Sequence, residues 1–504
     1  EIYIHLIKQY LKEGKQILYL VPEIALTTGL AKRLQSVFGN KLGIYHSKVN
    51  DNERTEIWQK MLSDKPFDII LGARSSLFLP YQKPGLLIVD EEHETSYKQQ
   101  DPAPRYNARD TAIMLAHIFG AKTLLGSATP SLESFYNAQT GKYGLVKLME
   151  RYNNLSIPLI QLENTYELIK RKKMKTILSP TLYECMRQAL ESGEQVVLFR
   201  NRRGYASVIE CKECSWTLKC KRCDVSLTFH KHKKRLVCHY CNTDYPIPDS
   251  CPSCGSKNFK TLGCGTEQIE QDIADIFPDY TVARVDADTT RSKYDQDRIF
   301  NDFQENRIQI LVGTQMLSKG LDFDNVGVVG VISADSLFNY PDFRSHERGF
   351  HLILQTAGRA GRREKQGRVI IQSANPEQPV YNYLINYDYE GFYESQLSER
   401  SLFKYPPCNR LIKVVLRHRN AELAEKASYN MANILKSSLS ERVLGPNVGV
   451  VSRIKSYYIN EILLKLENNM HLKKVRDTII KAEKKVLSIR ELKYVQIHYD
   501  VDPL

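Results

Sequence analysis

Two groups of residues in this chain have the types and spacing to do chemistry. The first is a run of paired cysteines: Cys211, Cys214, Cys220, Cys223, Cys238, Cys241, Cys251 and Cys254. Four Cys-x-x-Cys pairs supply eight thiols within 44 residues. Such a turn brings two sulfurs toward one point, and two turns complete a tetrahedral four-sulfur site for zinc. Eight thiols make two closed sites with no open position for water, so both Zn²⁺ ions are structural. Three pairings of the turns are open. Nesting Cys220, Cys223, Cys238 and Cys241 inside Cys211, Cys214, Cys251 and Cys254 lets the inner pairs close on their own hairpin first. An iron–sulfur cluster and a disulfide framework are the competing readings of the same thiols. Cys185, Cys264 and Cys408 are isolated and read as buried or surface thiols.

The second group is spread along the chain. Leu86-Leu-Ile-Val89 runs into Asp90, Glu91, Glu92 and His93, placing acids directly after a buried strand. In ATPases a strand-end Asp holds Mg²⁺ and a neighbouring side chain orients the attacking water. Gly126-Ser-Ala-Thr129 follows the next strand, where small hydroxyl residues can sense a nucleotide. Gly313-Thr-Gln-Met-Leu-Ser-Lys-Gly320-Leu-Asp322 follows a later strand. Gln355-Thr-Ala-Gly-Arg359-Ala-Gly-Arg362 follows a helical stretch. Two arginines spaced on one face can reach across a cleft to a γ-phosphate and stabilise the charge in transfer.

The elements that position these groups follow from hydrophobic periodicity. Apolar runs at 17–21, 69–71, 86–89 and 123–125 read as buried strands, with amphipathic stretches at 24–38 and 108–118 between them. The pattern returns at 196–199, 282–285, 310–312, 328–332 and 369–371. Strands alternating with helices imply parallel sheets covered on both faces, hence two α/β lobes. Residues 207–264 break the second lobe: periodicity vanishes, and 10 Lys and Arg face 5 Asp and Glu. Past 408 the order changes to strand 414–416, helix 421–442, strands 448–454 and 461–466, helix 470–487 and strand 494–498. That βαββαβ order is that of a ferredoxin-like α+β domain, with Tyr405-Pro-Pro407 as the linker. Lys170-Arg-Lys-Lys173 reads as a solvated face. The chain begins at Glu1, inside a helical pattern and without a methionine or leader, and so reads as a fragment.

Composition narrows the class. The 504 residues carry a formal charge of +13, with pI about 9.0. A basic balance raises the expectation of a polyanionic partner. No apolar stretch approaches the roughly 20 residues of a membrane span. Eleven cysteines without a signal peptide favour a metal site in a reducing compartment.

The ordered motifs resemble those of superfamily 2 helicases. They are Val21-Pro-Glu-Ile-Ala-Leu-Thr27, Gly72-Ala-Arg-Ser-Ser-Leu-Phe78, Asp90 to His93, Gly126-Ser-Ala-Thr-Pro-Ser131, Gly313 to Asp322 and Gln355 to Arg362. Two further features narrow the resemblance: the eight-cysteine insert, and a small final domain ending Asp500-Val-Asp-Pro-Leu504. The insert is flanked by Arg200-Asn-Arg-Arg-Gly-Tyr205 and Gly263-Cys-Gly-Thr-Glu-Gln268. Together they resemble the primosomal protein N′ family of bacterial replication-restart helicases. The resemblance implies two RecA-like P-loop helicase lobes, a double-zinc insert in the second, and a small α+β C-terminal domain. The implied boundaries are 1–145 for lobe 1, 146–206 with 265–400 for lobe 2, 207–264 for the insert and 408–504 for the last domain.

The resemblance further implies an ATP-driven 3′→5′ DNA helicase using Mg²⁺. It would recognise stalled forks and single-stranded DNA and help reload the replicative helicase. Single-stranded DNA-binding protein and primosome proteins would be its partners, in the bacterial cytoplasm at the nucleoid, with no membrane contact. Asp90, Glu91, Arg359 and Arg362 take the catalytic roles, with His93, Gly320, Asp322 and Gln355 beside the nucleotide. Residues 94–110 match the family's aromatic-rich loop, so Tyr97, Lys98, Arg105 and Tyr106 are expected at DNA, where aromatic faces stack on bases and cations follow phosphates. One departure stands out. No G-x-x-x-x-G-K-[ST] phosphate loop occurs in the sequence, so the lysine and amides that cradle the β- and γ-phosphates are missing. An ATPase-dead DNA- and zinc-binding fragment, or a scaffold, is the alternative reading.

Overall fold

The computed structural model describes all residues except 23–27, 47–48, 149–155, 202–207, 215, 231–234, 239, 242, 263–265, 287–292, 319–322, 324, 362–365 and 504. The chain forms two compact units. One comprises residues 1–201 and 272–392, the other 202–271 and 393–503.

Twenty strands follow one another among the described residues. The first five are β1 (Gln16–Leu20), β2 (Leu42–Tyr45), β3 (Ile69–Gly72), β4 (Pro84–Asp90) and β5 (Lys122–Gly126). Then come β6 (Leu159–Asn164) and β7 (Gln195–Arg200). The cysteine-rich stretch supplies β8 (Val208–Cys211), β9 (Thr228–His230), β10 (Arg235–Val237), β11 (Asp244–Tyr245) and β12 (Phe259–Leu262). The second lobe resumes with β13 (Val282–Val285), β14 (Ile310–Gly313), β15 (Val326–Ile332) and β16 (Arg368–Ser373). The last four are β17 (Asn409–His418), β18 (Val443–Ile454), β19 (Tyr457–Glu467) and β20 (Gln496–Val501).

The first unit holds two wholly parallel sheets, ordered β2-β3-β1-β4-β5 and β13-β14-β7-β15-β16-β6. In β1, Leu18 and Leu20 enter one apolar cluster while Ile17 and Tyr19 enter another on the opposite face. That period of two explains why the run reads as continuously hydrophobic: both faces are buried. Burying one such branched side chain contributes about 1.5–3 kcal/mol. Helix Ala108–Phe119 buries Ala108, Ala112 and Ala116, spaced four apart, in the cluster that holds the β4 residues Leu87 and Val89. Asn107 caps that helix and Gly120 ends it in the left-handed conformation.

Two strands of the first unit did not announce themselves in the sequence. β2 and β6 are both sheet edges. β6, Leu-Ile-Gln-Leu-Glu-Asn, has a largely half-exposed pattern, so it lacks the apolar run that marks a central strand. The second unit contains the cysteine-rich sheets β11-β10-β9 and β12-β8 and the antiparallel sheet β18-β19-β17-β20. In the latter, helices Ala421–Leu439 and Leu472–Leu487 contribute Met431, Leu435, Ile479 and Val486 to one core with Val414 and Ile462. The order is βαββαβ, as the sequence indicates. The run at 170–173 is exposed, also as expected.

Charge divides unevenly. Residues 408–504 carry 18 Lys and Arg against 10 Asp and Glu, a net +8. With the +5 of 207–264 this accounts for the whole +13. The remainder of the chain is formally neutral, so any anion that binds the lobes must be held by placed groups rather than by a general field.

Candidate functional site

Ligands of open parallel sheets bind at the carboxyl ends of the strands, and the acidic run sits there. Asp90 closes β4. The Tyr3 hydroxyl donates to Asp90 Oδ1 at 3.1 Å and the Tyr19 hydroxyl to Oδ2 at 3.2 Å. A Cβ at position 126 would stand 1.8 Å from the Tyr3 hydroxyl, so glycine there is what admits the tyrosine. Burial raises the Asp90 carboxyl above its ordinary range, and the two phenols and the Glu91 amide pull it back. Neither tyrosine was singled out from the sequence.

Glu91 has φ of 48°, a region that non-glycine residues seldom adopt outside tight or functional turns. Burial first, then the charges of Asp90 and Glu94, push its carboxyl up to about 7, against the pull of Arg359 and Gln355. Arg359 is itself lowered by burial and raised by Glu91. Gln355 Nε2 donates to Glu91 Oε2 at 3.3 Å and lies 2.8 Å from His93 Nε2. His93 Nδ1 is 2.7 Å from the Ser127 hydroxyl. The acidic run, the Gly-Ser-Ala-Thr loop and the second-lobe helix Ser345–Ala357 are thus one hydrogen-bonded set.

Glu92 fixes the set from beneath. It is 3% exposed and accepts from the Ser131 amide at 2.6 Å, the Ser134 hydroxyl at 2.8 Å and Arg109 at 3.1 Å. Across the lobes, Glu347 accepts the Leu132 amide at 2.8 Å, Arg344 pairs with Glu133 at 2.8 Å, and the rings of His351 and His93 meet edge-on at 4.7 Å. Glu347, His351 and Gln355 recur every four residues on one helix and all face lobe 1. Polar residues at i, i+4 and i+8 along one helix face were the available signal for the first two. Among the expected nucleotide residues, Gly320, Asp322 and Arg362 lie outside the described residues, as does Cys264.

Two residues of the loop expected at DNA are buried. Tyr97 is 1% exposed and Lys98 4%. The Tyr97 hydroxyl donates to the main-chain oxygens of Asp90, at 2.6 Å, and Leu20, at 3.2 Å. The ring is packed under the acidic turn with its polar tip satisfied, so neither residue offers a face to a base. Arg105 and Tyr106 are half-buried. Arg105 Nε donates to the Gln100 carbonyl, and the Tyr106 ring meets Phe78 edge-on at 5.0 Å.

The thiols converge as two nested sets: Cys211, Cys214, Cys251 and Cys254, and Cys220, Cys223, Cys238 and Cys241. In each, all four sulfurs lie within 4.8 Å of one another. Tetrahedral Zn–S bonds of about 2.3 Å place sulfurs roughly 3.8 Å apart. Cys211–Cys254, Cys214–Cys251 and Cys220–Cys241 are 3.5, 3.6 and 3.6 Å apart, and the described cysteines form no disulfide. The donor set and spacing fit zinc. The β9–β10 hairpin brings the inner pairs together, and the β8–β12 pairing does so for the outer ones. The Arg222 amide and the Tyr245 hydroxyl approach Cys220 Sγ at 3.4 and 3.3 Å, the outer partners that orient metal-bound thiolates.

Comparison with known proteins follows the same division. The sequence matches a DEAD/DEAH box helicase domain over residues 2–137 and a helicase conserved C-terminal domain over 257–364. It matches the PriA DNA helicase Cys-rich region over 220–246 and the primosomal protein N C-terminal domain over 401–504. It is 38% identical to the replication restart protein PriA of Bacillus subtilis across the whole of this chain, which spans 62% of that relative. The corresponding protein of Haemophilus influenzae is also 38% identical across the whole chain, which spans 68% of it. Helicase domains imply ATP with Mg²⁺, and the cysteine region implies two zinc ions, matching the acidic cleft and the nested thiols. No helix among the described residues is long and apolar enough to cross a membrane. With this identity over its full length, its cysteine region and its final domain, the chain belongs to the replication restart protein PriA family.

Proposed function

We propose that these residues are the motor and zinc-bearing portion of an ATP-dependent 3′→5′ DNA helicase that acts in replication restart. The observation that carries the reading is Glu91, held in a strained turn after Asp90 and met by Gln355 and Arg359 from the opposite lobe. Mg²⁺, when bound, would neutralise phosphate charge, with Asp90 as its protein ligand. Glu91 would orient the attacking water and accept its proton, a role for which a carboxyl raised toward neutrality is suited. Arg359 and Arg362 would stabilise the γ-phosphoryl in transfer, with Gly320 and Asp322 beside the nucleotide. His93 and Gln355 would relay its state to the second lobe.

The domain boundaries follow the proposal: lobe 1 to about residue 145, lobe 2 from there to 400 around the insert, and the last domain from 408. Opening and closing of the lobes would move single-stranded DNA, and Arg105 and Tyr106 would be the loop residues that touch it. Stalled forks as substrate, single-stranded DNA-binding protein and primosome proteins as partners, and a cytoplasmic, nucleoid-associated location complete the reading. In a protein extended to the length of its relatives, Glu91→Gln should lower DNA-stimulated ATP turnover by at least a hundredfold without loss of nucleotide binding. Turnover within tenfold of the parent would refute the role. A second reading is favoured by one observation, the lack of a Gly-Lys-[Ser/Thr] phosphate loop within residues 1–504. By themselves these residues would bind DNA and zinc but hydrolyse no ATP, and any DNA-stimulated turnover by them would overturn it.

A further inference from the structure

Among the described residues, the inner thiol set has a neighbour from outside the insert. The turn joining β18 to β19 lies directly on the Cys220-x-x-Cys223 knuckle. The Lys455 amide donates to Cys223 Sγ at 3.3 Å. The Ser456 amide donates to the Arg222 carbonyl at 2.8 Å, and the Asp224 amide to the Arg453 carbonyl at 2.9 Å. The Ser452 hydroxyl donates to the Asp224 carboxylate at 2.6 Å. Ile454 packs on the apolar cluster that contains Cys220, Cys223 and Leu227, while the core of its own domain is built from other residues.

The turn itself is unusual. Register puts Ile454 opposite Tyr457, leaving a two-residue connection. Lys455 and Ser456 have φ of 49° and 67°. Two left-handed positions in a hairpin normally select Asn-Gly or Gly-Gly, and each non-glycine residue there costs on the order of 1 kcal/mol. The local sequence does not set this tip; its contacts do. The two amides that a tight turn turns away from its own strands are both spent on the knuckle. A four-thiolate zinc site carries net negative charge, and amide donation to its sulfurs is the means by which outer groups hold it.

We propose that the β18–β19 tip is the closing element of the inner zinc site, so that metal retention at Cys220, Cys223, Cys238 and Cys241 and docking of the C-terminal domain are one linked equilibrium. Linkage is reciprocal: whatever the tip adds to metal retention, metal adds to docking. The insert and the last domain, separated by more than 180 residues of sequence between Cys223 and Asn409, then behave as one body only when this site is filled.

The test uses the intact 504-residue chain loaded with zinc. Transfer of zinc to a chromogenic chelator is followed in the parent and in Ile454→Asp. One of the two ions should leave about 10–100 times faster, the loss typical of a removed outer partner, and the other at the parent rate. In the converse arm, hydrogen exchange is read in Cys220→Ser/Cys241→Ser. The Lys455 and Ser456 amides should lose protection while those of β17 and β19 keep it. Parent-like release of both ions from Ile454→Asp, or unchanged protection at Lys455 and Ser456 without inner-site metal, would overturn the proposal. If Ile454→Asp fails to fold, Ser452→Ala/Asp224→Ala probes the same contact and must give the same selective acceleration.

Discussion

The lobe cleft and the cysteine insert are both built from buried reactive groups, but they satisfy them in opposite ways. In the insert the four sulfurs of each set lie within 4.8 Å of one another, and amides and hydroxyls stand behind those of the inner set. In the cleft, carboxylates sit close together with their charges only partly compensated. Glu91 is raised to about 7, and two of its partners, Gln355 and Arg359, come from the other lobe. A closed set serves to hold a shape. A set completed across two lobes can be unmade, so it serves to change one.

The largest effects should come from breaking the closed set, and they should separate the two zinc sites. Cys220 is 3% exposed and Cys223 fully buried, whereas Cys214 and Cys254 are exposed. Binding of a structural zinc is worth about 10–16 kcal/mol at neutral pH, and at the inner site that energy also organises Leu227 and Leu236. Cys220→Ser should therefore release one zinc and open the β9–β10 hairpin to protease. Cys254→Ser should release one zinc with cleavage confined to the outer knuckle. Metal content and limited proteolysis check both. Equal loss of protection would erase the distinction drawn between the sites.

Within the cleft the comparison sharpens to the groups that stay and those that part. Glu92 is satisfied inside lobe 1. Glu92→Ala removes the buried partner of Arg109, leaving that cation to the exposed Asp110, strands the Ser131 amide, and should cost about 3–5 kcal/mol of lobe stability. Glu347 reaches across to lobe 1 by accepting the Leu132 amide, so Glu347→Ala should cost about 1–3 kcal/mol, felt as easier separation of the lobes. Denaturant unfolding orders the two variants. An effect of Glu347→Ala as large as that of Glu92→Ala would mean that the lobes are not separable elements.

Much of this was legible in the sequence, for physical reasons that can be named. Central parallel strands announce themselves because both faces are buried, as in β1 and β15. Cysteine pairs do so because a tetrahedral metal demands their spacing, although nesting became definite only when β9–β10 and β8–β12 paired. Edge strand β6 escaped because a half-exposed strand carries no apolar run, and β2 because it is only four residues long and Gly43 interrupts its apolar run. The burial of Tyr97 was hidden because a loop rich in Pro, Lys and Arg reads as exposed, yet its phenol donates to main-chain carbonyls beneath Asp90. Tyr19 was hidden for the opposite reason. It reads as one more core residue of β1, and only the fold shows its hydroxyl reaching Asp90. The left-handed tip at Lys455 and Ser456 carried no signal, since neither residue prefers that conformation.

The smallest effect is the most diagnostic of a site held ready to change. An ordinary Glu ionises near 4.3, while folding raises Glu91 to about 7. Below the ordinary range both folded and unfolded chains carry the proton, and Glu91 imposes no penalty. As pH climbs from that range to about 7, the unfolded chain loses the proton and the folded chain keeps it, so stability falls. Above 7 both are ionised and the full penalty remains. Glu91→Gln removes the titration and keeps a polar group beside Gln355. It should leave stability unchanged at pH 4 and raise it at pH 8, with the gain developing between those values. The side chain is 35% exposed, so water screens part of the repulsion and the gain should be smaller than the loss in Glu347→Ala. Urea midpoints at several pH values read it directly. A difference that is constant with pH would mean that Glu91 is not the strained, titrating member of the cleft, and the contrast with the closed zinc sites would rest on the interlobe contacts alone.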